Sequence, residues 1–287
     1  MASLCSLQAQ GCSDAGFCTV DGFKPNPNSD FKTRLKWGVT YGAADYNIAI
    51  FGSYLELNQR LNDKAGIDIK LTTLAQSGNS VTAFGLSDVF LNFNYQVTRK
   101  LKGTAGVKLP LSNGGKERDN LALPMDYQAS LGTYDLILGV SYQLKKAQFT
   151  VAYQQPLSQN ENKFFAESYA ATSPFNRFQS TNGFIRRGDI LLRTSYPWSI
   201  SKNLKLTPSL LPIYHLGNDE YTNAQGLTQE IARSQGLTLN ATGYLDFSLT
   251  KKSALQLNLG VPFIVREARP DGLTRSFIAT MEYSIRF

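Results

Sequence analysis

The sequence predicts an all-β fold, a closed antiparallel transmembrane β-barrel of about twelve strands with short turns at one end and long loops at the other. Three observations carry this. From about Phe31 onward, apolar side chains recur at every second position, so each segment has one apolar and one polar face. The connections alternate in length: 59–65, 98–100, 146, 201–203 and 251–252 are short, and 42–46, 75–85, 112–132, 158–187, 217–236 and 266–274 are generally longer. The last segment alternates through Met281, Tyr283 and Ile285 to a terminal Phe287. No run approaches the roughly 18 apolar residues of a membrane helix. A barrel needs only alternate apolar residues, which fits the slightly negative mean hydropathy.

The segments fall at 32–41, 47–58, 66–74, 86–97, 101–111, 133–145, 147–157, 188–200, 204–216, 237–250, 253–265 and 275–287. Most have the length of a tilted membrane strand, and an even number lets the sheet close without edges. The first carries Lys36 on its inward parity. The second carries Glu56, with Ile48 and Ile50 also on the parity expected to face inward, which makes it the least regular. The third places Asp68 and Lys70 inward, the fourth Asp88 and the fifth Lys102 and Lys108. In the sixth, Leu136, Leu138, Val140 and Tyr142 oppose Asp135, Ser141 and Gln143, and in the seventh Phe149, Val151 and Tyr153 oppose Gln148, Thr150 and Gln154. The eighth sets Asp189 and Arg193 inward, the ninth Lys205 and His215, the tenth Asp246, and the twelfth Glu282 and Arg286. Pro110, Pro156, Pro208, Pro212 and Pro262 remove ladder donors, which predicts strand ends, bulges or a lateral gap in the wall.

A weak repeat orders four strands. Asp88 to Tyr95, Asp135 to Tyr142 and Asp189 to Tyr196 each pair an Asp with a Tyr seven residues on, and Asn240 to Phe247 is a looser copy. The odd offset points the Asp inward near the loop end and the aromatic outward near the turn end. Tyr95, Tyr142, Tyr196, Trp198 and Phe247 then form part of an interfacial girdle.

All three cysteines precede the barrel. Residues 1–10 read as a residual leader or expression remnant, and 11–30 as a tail or a small plug entering the barrel. Cys12 and Cys18 are candidates for a disulfide in an oxidising compartment, with two free thiols as the alternative. The net charge of +7 comes from scattered rather than clustered basic residues, and no nucleic-acid motif is present, so no nucleic-acid partner is expected.

No catalytic residue, metal site or cofactor site is assigned. His215, the only histidine, is followed by Leu216 and Gly217 and reads as a pore-mouth or packed residue. The candidate lumen residues are Lys36, Asp68, Lys70, Asp88, Lys102, Lys108, Asp135, Asp189, Arg193, Lys205, His215, Asp246, Glu282 and Arg286. They either pair as a structural network or line a water-filled path, and twelve strands give an intermediate bore. In loop 158–187, Phe164, Phe165, Tyr169, Phe175, Phe178 and Phe184 are candidates for a lid or a hydrophobic capture surface, with packing among the loops alone as the alternative.

Gly85-Leu-Ser-Asp-Val-Phe-Leu-Asn-Phe-Asn-Tyr95, Gly106-Val-Lys-Leu-Pro110 and Ser130-Leu-Gly-Thr-Tyr-Asp-Leu-Ile-Leu-Gly-Val-Ser-Tyr142 resemble outer-membrane proteins of the phenol-degradation meta-pathway and FadL-like transporter group. Phe287 is similar to the C-terminal assembly signal of outer-membrane proteins. The resemblance implies a Gram-negative outer-membrane location and passive passage of small hydrophobic or aromatic molecules without a cofactor. The partners it implies are membrane lipids, the solute and the barrel-assembly machinery acting through Phe287. The short turns and both termini are then periplasmic. The alternatives are a non-conducting subunit of a larger envelope complex and a lipid-modifying enzyme.

Overall fold

All twelve alternating segments form strands: β1 Thr33–Ala43, β2 Ala49–Arg60, β3 Ala65–Gly78, β4 Val81–Gln96, β5 Leu101–Pro110, β6 Asp135–Leu144, β7 Ala147–Pro156, β8 Asp189–Ser195, β9 Leu204–His215, β10 Gly236–Ser248, β11 Ser253–Ile264 and β12 Phe277–Arg286. The computed structural model describes residues 20–24, 31–272 and 276–287. Residues 1–10, and the Cys12–Cys18 pair with them, lie outside the described residues. Every strand pairs antiparallel with its neighbours in sequence, and β12 closes the ring on β1 from Arg34↔Arg286 to Ala43↔Phe277. The result is a closed twelve-stranded barrel.

The two parities of each strand separate as the sequence requires. On β1, Leu35, Trp37, Val39 and Tyr41 are exposed on the outside while Lys36 is buried within. Tyr95, Tyr142, Tyr196, Trp198 and Phe247 all project outward near the turn end. In water such a face would leave large aromatic and aliphatic side chains uncovered around the whole circumference. It is stable only against an apolar phase, which the hydrocarbon of a bilayer supplies.

Two sequence expectations change. The segment 75–85 is not a loop: β3 and β4 run on to Gly78 and Val81 and meet in a two-residue turn. Asn79 (φ 49°) and Ser80 (φ 63°) both occupy the left-handed region, the backbone of a tight hairpin turn. A register shift between Leu71 and Thr73 sets Ser87 and Asp88, both buried, opposite Thr72. The extra residue inverts parity along β4, so Leu91, Phe93 and Tyr95 face outward on one side of it and Phe84 and Leu86 on the other. The eighth segment is also interrupted. It stops at Ser195 and resumes only as Trp198–Ser199, because Pro197 cannot donate to the ladder.

The prolines otherwise fall where a missing donor matters least. Pro110 and Pro156 end their strands. Pro262 accompanies a bulge that shifts the β10–β11 register between Leu239 and Asn240. Opposite Pro212, the β8–β9 ladder skips from Leu191↔Ile213 to Thr194↔Leu210 and then resumes. These are the strand-end and bulge outcomes, and the sheet is paired on both sides of each irregularity.

Candidate functional site

The chain segment ahead of β1 turns into its own barrel. Val20 to Lys24 lie inside the lumen, with a single 3-10 turn at Asp21–Phe23. Phe23 is fully buried against Phe90, Ile137, Ala152, Leu191, Leu211 and Ile213, the inward apolar residues of β4, β6, β7, β8 and β9. Its ring fits because β6 carries a glycine there. A Cβ on Gly139 would sit 2.4 Å from the ring. Gly139→Val is therefore expected to expel the segment while leaving the wall paired. The check is faster cleavage of residues 20–24 by added protease, with unchanged heat-modifiable migration of the folded barrel on gels.

Polar contacts fix the same segment on the other side. Asp21 receives Arg34 Nη2 at 2.5 Å and is paired with Lys36, while Lys24 Nζ lies 3.6 Å from Glu282. The backbone carbonyl of Phe23 accepts from Arg193 Nη1 at 3.0 Å, and that of Lys24 accepts from Gln148 Nε2 at 3.3 Å. The five residues thus combine an apolar anchor with ion pairs and backbone contacts that would be lost together on withdrawal. The described part of residues 11–30, Val20 to Lys24, lies inside the barrel lumen and is called the plug segment below.

The inward charges divide by height. In the plug's layer, Lys36 also approaches Glu56 at 3.2 Å and Glu282 at 3.8 Å, Lys70 lies 4.0 Å from Glu56, and Asp68 accepts from Asn58 at 2.7 Å and Asn94 at 2.6 Å. Lys108 and Asp135 form a buried pair at 2.9 Å. Asp88 accepts from Ser87 at 2.8 Å and from Ser130 of the loop 111–134 at 2.6 Å. Nearer the turn end, Lys205 and Asp246 are 3.5 Å apart, and Arg286 stands 5.8 Å over the ring of Phe31. Lys102 faces the lumen without an ion pair among the described residues. Most of these side chains are therefore paired.

The loop end is capped. Ile48, Ile50, Val81 and Ala83 form one apolar cluster with Leu123, Tyr127, Phe164, Ala166, Phe175 and Phe178. This explains the inward Ile48 and Ile50 where the chain enters β2: they are the floor on which the loops pack. Tyr127 meets Phe175 edge-on at 5.6 Å, and Phe175 lies 5.8 Å from Phe178 and 5.0 Å from Tyr169. Phe184 joins Met125, Leu131 and Ile231 in a second cluster. Phe165 and Tyr169 are half-buried. Five of the six aromatics thus pack into apolar clusters at the loop end, and the four that are buried present no open capture surface.

A buried ionic knot ties three loops to two strand ends. His215 at the end of β9 places Nδ1 2.7 Å from Asp189 and Nε2 2.8 Å from Asp219, the arrangement satisfied by an imidazolium, which donates from both nitrogens. Arg186 reaches Asp189 at 2.6 Å and Asp271 at 3.4 Å, and Arg266 reaches Asp271 at 2.8 Å. Both His215 ring nitrogens face carboxylates rather than a serine hydroxyl. Sequence reasoning singled out His215 and Asp189 but missed Arg186, Asp219, Arg266 and Asp271, because partners on separate loops share no period.

Between plug and lid lies a cavity of about 130 Å³. Tyr54, Phe90, Tyr244, Leu74 and Ile278 supply its apolar wall, Lys24, Lys70, Asp88, Arg193 and Asp271 its charges, and Met125 and Gln128 to Leu131 its roof. Below the plug, the turn end opens into a vestibule of about 770 Å³. Among the described residues no group of His, Cys, Asp and Glu is placed to hold a metal ion.

No family model and no curated protein matches the chain. Among solved structures it is similar to the NanC porin (9% identical, TM-score 0.48, covering 89% of this chain and 98% of that one). It is similar to the CymD monoaromatic hydrocarbon channel (9% identical, TM-score 0.46, covering 98% and 94%). It is also similar to the translocator domain of the autotransporter NalP from Neisseria meningitidis (12% identical, TM-score 0.48, covering 89% and 89%).

Proposed function

We propose that the protein is a passive outer-membrane channel for small solutes with an apolar or aromatic body, closed in this state by its own N-terminal segment and its loops. The observation that carries this reading is the cavity between plug and lid, enclosed in a barrel whose outside is built for lipid. Walls of Tyr54, Phe90 and Tyr244 beside charged and hydroxyl groups suit a ring or short alkyl body with one polar end. The two closures are noncovalent among the described residues, so each can open without breaking a bond. In this reading the turns face the periplasm, and the exposed Phe287 presents an aromatic terminus to the barrel-assembly machinery.

Planar-bilayer recording and solute entry into proteoliposomes test the proposal. Discrete conductance steps that increase when residues 158–187 are shortened support it. Silence in the full chain, in the shortened-loop form and in a plug-weakened form would defeat it. The packed lumen favours one competitor, a non-conducting subunit of an envelope complex, and that outcome would promote it.

A further inference from the structure

The basic residues that look scattered along the sequence are gathered by the topology at one end. The five short connections, counted from Arg60, hold nine Lys and Arg (Arg60, Lys64, Arg99, Lys100, Lys145, Lys146, Lys202, Lys251, Lys252) against Asp63 alone. The connections at the loop end hold ten basic and eleven acidic residues, and the inward strand charges nearly cancel. Essentially the whole +7 of the chain therefore sits at the turn end. This corrects the expectation of scattered charge: antiparallel strands bring every second connection to the same rim.

Much of that charge faces inward. Of the side chains lining the vestibule, ten are Lys or Arg and three are acidic: Asp21, Asp63 and Asp68. Two of the three acids are already engaged, Asp21 by Arg34 and Lys36, and Asp68 by Asn58 and Asn94. Lys102 stands in the vestibule wall with no ion pair among the described residues. Beyond the plug, the cavity wall carries Lys24, Lys70 and Arg193 against Asp88 and Asp271, and Asp271 is held by Arg266. The vestibule thus has a cationic excess, which focuses the field and concentrates anions at the turn end, whereas Lys24 and Lys70 of the cavity wall are offset by Glu282 and Glu56.

The plug shows what such a lumen accepts. Asp21 brings a carboxylate to Arg34 and Lys36, and Phe23, two residues on, brings an aromatic ring to the apolar wall. Carboxylate and ring are held by separate, pre-formed sites. Resting on the channel reading above, we infer that the solutes are small organic carboxylates with an aromatic or short alkyl body. The Arg34–Lys36 pair is their carboxylate subsite, and Asp21 occupies it in the closed state. A permeating carboxylate takes the place of Asp21, so solute and plug compete for the same two cations.

The test is the reversal potential across planar bilayers in salt gradients. It uses the full chain and an Asp21→Asn/Phe23→Ala form, with potassium chloride, potassium benzoate and benzylammonium chloride as probes. The expected result is anion preference on the order of tenfold with both potassium salts. Neutralising Lys102, Lys145 and Lys146 to Gln should reduce it severalfold, with folding checked by heat-modifiable migration. Cation preference, or a preference indifferent to the three substitutions, overturns the inference while leaving the channel reading intact. Chloride current without benzoate current overturns the organic-carboxylate class. No current from either form with any salt overturns the channel reading and this inference with it.

Discussion

A full-length chain carrying Asp21→Asn and Phe23→Ala is expected to be open at least about a hundredfold more of the time than the unmodified protein in single-channel records. Phe23 is fully buried in an apolar cluster. Truncating such a side chain to alanine costs about 3–5 kcal/mol where the site cannot collapse, and the barrel wall is held in place by its ladders. Each 1.4 kcal/mol is a tenfold change in the seating equilibrium, so the phenylalanine alone accounts for the hundredfold. Asp21→Asn removes the charge that Arg34 and Lys36 share. The two changes act on one segment and will not add fully. Gly139→Val reaches the same end by filling the ring's seat from the wall side, and its agreement with the double variant separates loss of the plug from damage to the wall. An open fraction unchanged by all three substitutions would place the main barrier elsewhere, in the lid.

Strand order, closure and the separation of faces were legible because alternation reports directly which side of a sheet a residue occupies. The Asp-to-Tyr offset was legible for the same reason, and it has a consequence the repeat alone does not state. Asp88, Asp135 and Asp189 are the residues on which the loop end is hung: Ser130 donates to Asp88, Thr133 to Asp135, and His215 and Arg186 contact Asp189. What escaped sequence reasoning is what alternation does not encode. A bulge at Ser87 and Asp88 inverted the parity of β4, and the polar run around Gly78-Asn79-Ser80 looked like a loop although it is a hairpin turn. Gly139 is indistinguishable in sequence from any strand glycine, and only the ring pressed against it shows its use. The charge asymmetry was arithmetically present, but it appears only when connections are counted by the end of the barrel to which they belong.

Breaking the ionic knot at the loop end should release the lid. Asp189→Ala removes the carboxylate that contacts both Arg186 and His215, all of them buried. Deleting one partner of a buried ionic cluster leaves uncompensated charge and costs about 3–5 kcal/mol. Here that cost falls on segments 158–188, 216–235 and 265–272, which meet at the knot, rather than on the hydrogen-bonded wall. The expected result is rapid trypsin cleavage at Arg177, Arg186 or Arg187 in a barrel that still migrates as folded. Resistance equal to that of the unmodified chain would mean that the apolar cluster holds the lid unaided. Acid probes the same knot without mutation. Burial alone would raise the Asp271 carboxyl, but Arg266 and Arg186 beside it hold it down at about 2. A carboxyl depressed on folding contributes stability above its ordinary value near 3.8 that is lost as pH falls toward 2, here about 2 kcal/mol in full. The lid should therefore stay shut at pH 5 and become open to pepsin between about pH 4 and 2, where the aromatic cluster, which does not ionise there, is left to hold it alone. Equal pepsin resistance at pH 4 and pH 2 would show that closure of the lid does not depend on the Asp271 carboxylate.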